Sequence, residues 1–144
     1  KIRLVVRGIH SLIPGQKGFS ENIESISIVD KFLEHSRIYW FRNAGDDQVF
    51  ISSADMMERN LDARVEVACP IYNQEIKKML IESFELNFND NVKARLHDAD
   101  SSLEYRTNNL PTLRSQFAIY NYLLELNEKQ SEEIQSRQNR QYEH

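Results

Sequence analysis

The hydrophobic period of the chain changes near Asn73, from two residues before it to three or four after it. Alternation in steps of two specifies half-buried strands and spacing of three to four specifies amphipathic helices, so strands come first and helices late. Residues 2–6 read as a largely buried strand ending at Arg7-Gly8. The Pro14-Gly15 turn sits in a loop over residues 13–18, and residues 24–30 alternate serine with isoleucine as a second strand. Residues 37–42 and 48–52 flank Asn43-Ala44-Gly45-Asp46-Asp47 and predict an antiparallel hairpin with a long loop. Residues 54–60 suit one or two helical turns, with Asp55 and Arg59 as helix neighbours. Residues 63–68 alternate again, as a strand ending before Pro70.

After the change, Asn73 is a helix cap for residues 74–88, whose apolar stripe is Ile76, Met79, Leu80 and Phe84. A short strand is expected at 92–96. Leu113, Phe117, Tyr120 and Leu124 mark a second amphipathic helix. From about Asn127 the stripe fades into polar sequence, read as a helix extension or a disordered tail. The fold class is therefore α/β (α+β), a mixed β-sheet packed with α-helices.

A chain of 144 residues suits one domain. It opens in a strand-like run without an initiator methionine, so it is expected to be a piece of a longer protein. The net charge of −4 argues against general affinity for nucleic acid. Basic character is instead local, at Arg7, Arg37, Arg42, Arg59 and Arg64. Cys69 is the single cysteine, which excludes an internal disulfide and a cysteine metal cluster. No apolar run has the length of a membrane span and no signal-peptide pattern is present, so a cytoplasmic location is expected, with any membrane association coming through the full-length protein.

His35 and Arg37 are two residues apart at the start of an aromatic and β-branched run. If that run is extended, both side chains fall on one face. A histidine exchanges protons near neutral pH and a guanidinium offsets charge on transferring oxygens, a combination suited to phosphoryl chemistry. Arg7, at a strand end before Gly8, can project into a cleft.

The words Val6-Arg7-Gly8, Ile13-Pro14-Gly15, Ser20-Glu21-Asn22-Ile23, Ser27-Ile28-Val29-Asp30, Phe32-Leu33-Glu34-His35-Ser36-Arg37 and Ser52-Ser53-Ala54-Asp55-Met56-Met57-Glu58-Arg59-Asn60-Leu61-Asp62 resemble, in this order, the C-terminal domain of the histidine-dependent polyphosphate kinases. The match is dense from Arg3 to about Pro70. The resemblance implies a phospholipase D-like domain over residues 1–128, with residues 129–144 as the polar extension. It implies a parent enzyme that moves the terminal phosphate of ATP reversibly onto inorganic polyphosphate, with magnesium, through a phosphohistidine on a preceding domain. The partners implied are ATP, ADP, polyphosphate, the preceding domains and a second copy of the full-length chain. The resemblance makes His35 the catalytic acid/base or charge-stabilising residue and Arg7 a phosphate contact, consistent with the forked geometry of guanidinium. Arg37, Ser53, Arg59 and Arg64 are weaker candidates for lining the ATP and phosphate site.

Other features read as structural. Asp55 with Arg59 and Asp62 with Arg64 suit local ion pairs. Trp40, Tyr39 and Phe41 suit packing, Met56 and Met57 core filling, and Asp46 and Asp47 a solvated hairpin tip. His10, His97 and His144 match no family word. No metal ligands are identified, and no Walker-type loop occurs.

Two rival classes fit parts of the chain. A phosphodiesterase of the phospholipase D type requires histidine-x-lysine and a following aspartate, where this chain has His35-Ser36-Arg37 and Arg42. A non-catalytic interaction module accounts for the Gln-rich tail and the lack of a word matching the nucleophilic histidine. Polymer synthesis from labelled ATP separates the three.

Overall fold

In the computed structural model, which describes residues 1–8, 10–100 and 102–142, six strands form two three-stranded sheets that share one helix. His144 lies outside the described residues. The first sheet has the order β1 (Ile2–Val5), β2 (Ile23–Ile28), β6 (Ala94–His97), with β1 parallel and β6 antiparallel to β2. In the second, β4 (Gln48–Ser52) lies between β3 (Ile38–Phe41) and β5 (Ala68–Pro70), all antiparallel. Helices α1 (Glu58–Leu61), α2 (Gln74–Phe88) and α3 (Ser115–Tyr142) complete the fold. The expected mixed sheet is thus divided in two, and only the first sheet is mixed.

The serine–isoleucine alternation of β2 accounts for its central place. Ile26 and Ile28 point to one face and pack with Phe88 and Ala94, with Val5, Phe84 and Leu96 at the margin. Ser25 and Ser27 are buried on the other face. Strand β1 lies at the sheet edge and is half-buried rather than largely buried, because only β2 pairs with it.

Asn73 caps α2 as its sequence indicates, its Oδ1 accepting from the N–H groups of Glu75 and Ile76 at 2.9 and 3.0 Å. The helix touches β1, β3, β4 and α3. Arg3 on β1 grips Glu85 on α2 with a two-pronged bond of 2.8 and 2.5 Å, and its guanidinium lies over the rings of Trp40, Phe84 and Phe88. Trp40 meets Phe84 edge-on at 5.9 Å, so the aromatic hairpin packs where the two sheets approach α2.

Several local expectations are corrected. Residues 63–67 are not a strand: β5 begins at Ala68, and Val65 is fully exposed, with no apolar surface to reward alternation there. Met56 and Met57 are exposed instead of filling the core, since α1 begins only at Glu58. Asp55 therefore has no helix-neighbour bond to Arg59 and pairs with Arg37 across 2.7 Å. Asp62 and Arg64 form no ion pair among the described residues. At the hairpin tip Asp46 is exposed, while Asp47 is half-buried and pairs with Arg42 at 3.3 Å. Helix α3 continues through residues 129–142, and Phe117, Tyr120 and Leu124 on its apolar stripe are exposed.

Candidate functional site

Between β1 and the segment leading into β3 lies a cleft of about 320 Å³ whose walls include Arg7, Glu34, Arg37, Tyr39 and Asn87. Arg7 enters it from the end of β1. It is exposed and its side chain makes no hydrogen bond or ion pair among the described residues, leaving all five donors of the guanidinium for a ligand. The side-chain oxygen of Asn87 is buried without a partner, a further polar group at the cleft wall.

Arg37 is held differently. Its Nε donates to Asp55 Oδ1 at 2.7 Å and its Nη2 donates to His35 Nε2 at 2.8 Å. The Asp55 hydrogen bond raises the Arg37 pKa, and the same bond lowers that of Asp55. Because a guanidinium can only donate, His35 Nε2 must carry a lone pair in this arrangement and the imidazole proton sits on Nδ1. His35 and Arg37 meet as expected, although both precede β3 and their proximity comes from an irregular segment.

Two residues that sequence reasoning missed hold that segment. Gln116, at the start of α3, accepts from the Phe32 N–H at 2.9 Å and donates to the Phe32 carbonyl at 2.8 Å. Arg114 forms a fork to the buried carboxylate of Asp30, at 2.8 and 2.5 Å. This hydrogen bond lowers the Asp30 pKa. The residues that follow, including Glu34 and His35, thus start from a base tied to Arg114 and Gln116. Glu34 is exposed as a whole, yet partial desolvation of its carboxyl raises its pKa, with Gln116 and Arg7 opposing.

The remaining candidates do not gather at this cleft. Ser53 Oγ donates to Glu66 at 2.5 Å and accepts from the Val67 N–H at 3.0 Å, so the hydroxyl joins the end of β4 to the irregular segment leading into β5. Glu66 also accepts from Asn60 at 2.8 Å. Arg59 and Arg64 are both exposed. No group of three or more His, Cys, Asp or Glu side chains among the described residues is arranged to hold a metal ion.

His10 and His97 form a second cluster. His10 Nε2 lies 2.7 Å from His97 Nδ1, and Arg7, Ser27 and Asp98 share a cavity of about 370 Å³ with them.

The fold is that of a domain found within larger proteins. Residues 1–116 match the family described as polyphosphate kinase C-terminal domain 2. The polyphosphate kinase of Vibrio vulnificus strain YJ016 is 52% identical over 124 residues, covering 85% of this chain and 18% of that protein. That of Vibrio cholerae is 48% identical over 139 residues, covering 96% of this chain and 20% of that protein. The crystal structure of polyphosphate kinase from Porphyromonas gingivalis superimposes with a TM-score of 0.86 at 42% identity, over 90% of this chain and 20% of that one. The chain belongs to the polyphosphate kinase C-terminal domain family and spans about a fifth of the length of the curated relatives it matches.

Proposed function

We propose that this chain supplies the nucleotide-phosphate side of the active site in a polyphosphate kinase, which transfers the terminal phosphate of ATP reversibly to inorganic polyphosphate. The observation that carries the reading is a cleft lined by both Arg7, whose guanidinium is unpaired among the described residues, and Arg37, whose Nη2 holds His35. Phosphoryl transfer asks a protein mainly for positioning and for positive charge against the equatorial oxygens. Arg7 offers its fork to two phosphate oxygens. Arg37, anchored by Asp55, contributes a fixed cation and keeps the His35 proton on Nδ1.

In the forward reaction the γ-phosphorus–oxygen bond of ATP breaks as a bond forms to a histidine nitrogen of a preceding domain, with ADP leaving. The phosphoryl group then passes to a terminal oxygen of the polymer. His35 steadies or transfers a proton at the phosphate oxygens as charge moves between them. Magnesium would arrive with the nucleotide phosphates. Among the described residues no cluster of carboxylates is arranged to hold it, and no step here depends on one.

The test compares the full-length parent with the isolated chain, each given γ-labelled ATP, magnesium and a polyphosphate primer. The parent is expected to incorporate label into chain-extended polymer, and the isolated chain to give none above a blank. Polymer growth by the isolated chain would overturn the division of roles, and failure of the parent would overturn the activity.

A further inference from the structure

The contact between His10 and His97 is not required by the phosphoryl-transfer reading, yet it closes the loop that follows Arg7. His10 belongs to that loop, whereas His97 ends β6, on the far side of the sheet from β1. Both are half-buried, with ring centroids 4.6 Å apart.

The hydrogen-bond partners determine where the protons sit. His10 Nδ1 lies 2.9 Å from the Leu12 carbonyl oxygen, which only accepts, so Nδ1 carries a proton. The 2.7 Å between His10 Nε2 and His97 Nδ1 admits one proton between them. The Ser25 hydroxyl, 2.9 Å from His97 Nδ1, can donate or accept as that proton shifts. The pair is neutral with two protons. A third, on His97 Nε2, leaves the contact intact. A fourth puts a proton on each of the facing nitrogens, two positive rings then oppose one another, and the bond is lost.

We propose that the His10–His97 pair is a positioning device that holds the loop after Arg7 against β6, and so keeps Arg7 at the cleft until a second positive charge on the pair releases it. The functional consequence rests on the reading of Arg7 as a phosphate contact; the latch itself does not. Arg7 and Asp98 share one cavity with the pair, and Glu24, Asp98, Asp100 and Arg106 line a second that includes His97. Burial first and His10 second hold the His97 pKa below its ordinary value, with Asp98 opposing. A lowered histidine pKa means that the unfolded or open form binds more protons. The closed latch is therefore most stable above the ordinary histidine value and is weakened as pH falls from there through the closed-state value of His97, before the fourth proton breaks the contact.

The experiment uses the full-length enzyme, measuring amide hydrogen exchange in peptides covering residues 8–14, corrected for the intrinsic pH dependence of exchange, beside the Michaelis constant for ATP. The variants are His97→Asn, whose amide can still donate to His10 Nε2 but does not titrate, and His10→Gln as a second removal of the paired charge. Between about pH 7.5 and about pH 5, protection of the wild-type loop should fall about tenfold and the Michaelis constant should rise severalfold. In both variants the ratio of each quantity across that range should flatten; titration of ATP itself is common to all three proteins and cancels. Unchanged wild-type loop protection across the range, or the same pH ratio in wild type and both variants, would overturn the latch. A loop that loosens with acid while the Michaelis constant stays level would uphold the latch and overturn the role of Arg7.

Discussion

At the scale of single residues, two arginines beside one cleft have opposite circumstances. Arg37 is committed on both sides, to Asp55 and to His35, while Arg7 has its donors available. Replacing Arg7 by Lys preserves the charge and removes the fork, since an ammonium cannot grip two phosphate oxygens in one plane. In the full-length enzyme Arg7→Lys should raise the Michaelis constant for ATP about tenfold, the equivalent of one charge-assisted hydrogen bond. Steady-state kinetics check this, and identical constants in the two proteins would remove Arg7 from the site. The proposed role of Arg7 was legible in the sequence only through its family word. Its position before a glycine, taken alone, fits an exposed salt-bridging arginine better.

Elements show which parts of the fold local sequence determines. Helix α2 follows from a capping asparagine and a stripe of spacing three to four, both within about 15 residues of one another, and its observed limits are Gln74–Phe88. The β3–β4 hairpin is equally local. What was not legible is long-range: the joining of Gln116 to Phe32 and of Arg114 to Asp30 spans 84 residues in each case. Nothing in the alternation of residues 2–6 shows whether that strand lies at an edge. Local alternation also mistook residues 63–67 for a strand, because a hydrophobic period forms one only where a partner covers it. Asp90 provides another long-range link. It is wholly buried, and its Oδ1 accepts from the N–H groups of Val92, Lys93 and Ala94, while Oδ2 accepts from that of Ser115 at 2.7 Å, joining the turn before β6 to the start of α3. Burial pushes this carboxyl up, but the combined bonds from Ser115, Lys93 and Val92 prevail and lower its pKa below the ordinary 3.8. Asp90→Asn would set an amide donor against one of these N–H groups. It should cost about 2–3 kcal/mol, read as a loss of hydrogen-exchange protection of about thirty- to one-hundred-and-fiftyfold in β6 and the first turn of α3. In the wild type this contribution is complete above the unfolded carboxyl value and disappears as pH falls through the lowered folded value. Unaltered protection in Asp90→Asn would show that the carboxylate does not hold the two elements together.

The whole molecule is built so that α2 and the first turn of α3 brace a segment whose chemistry faces outward. Sheet packing fixes β1, the Asp30 and Phe32 contacts fix the approach to β3, and the space between is the cleft. The central claim is that His35, hydrogen-bonded to Arg37 of the cleft lining, acts on the transferring phosphate. Its ring is exposed and contributes little to packing, so its loss should spare the fold. The most direct measurement is polymer synthesis by full-length His35→Ala, with circular dichroism on the same preparation. The account predicts a folded protein whose phosphoryl-transfer rate is lower by at least about a hundredfold, the low end for a positioned acid/base group. A folded His35→Ala enzyme that makes polymer at close to the wild-type rate would contradict it.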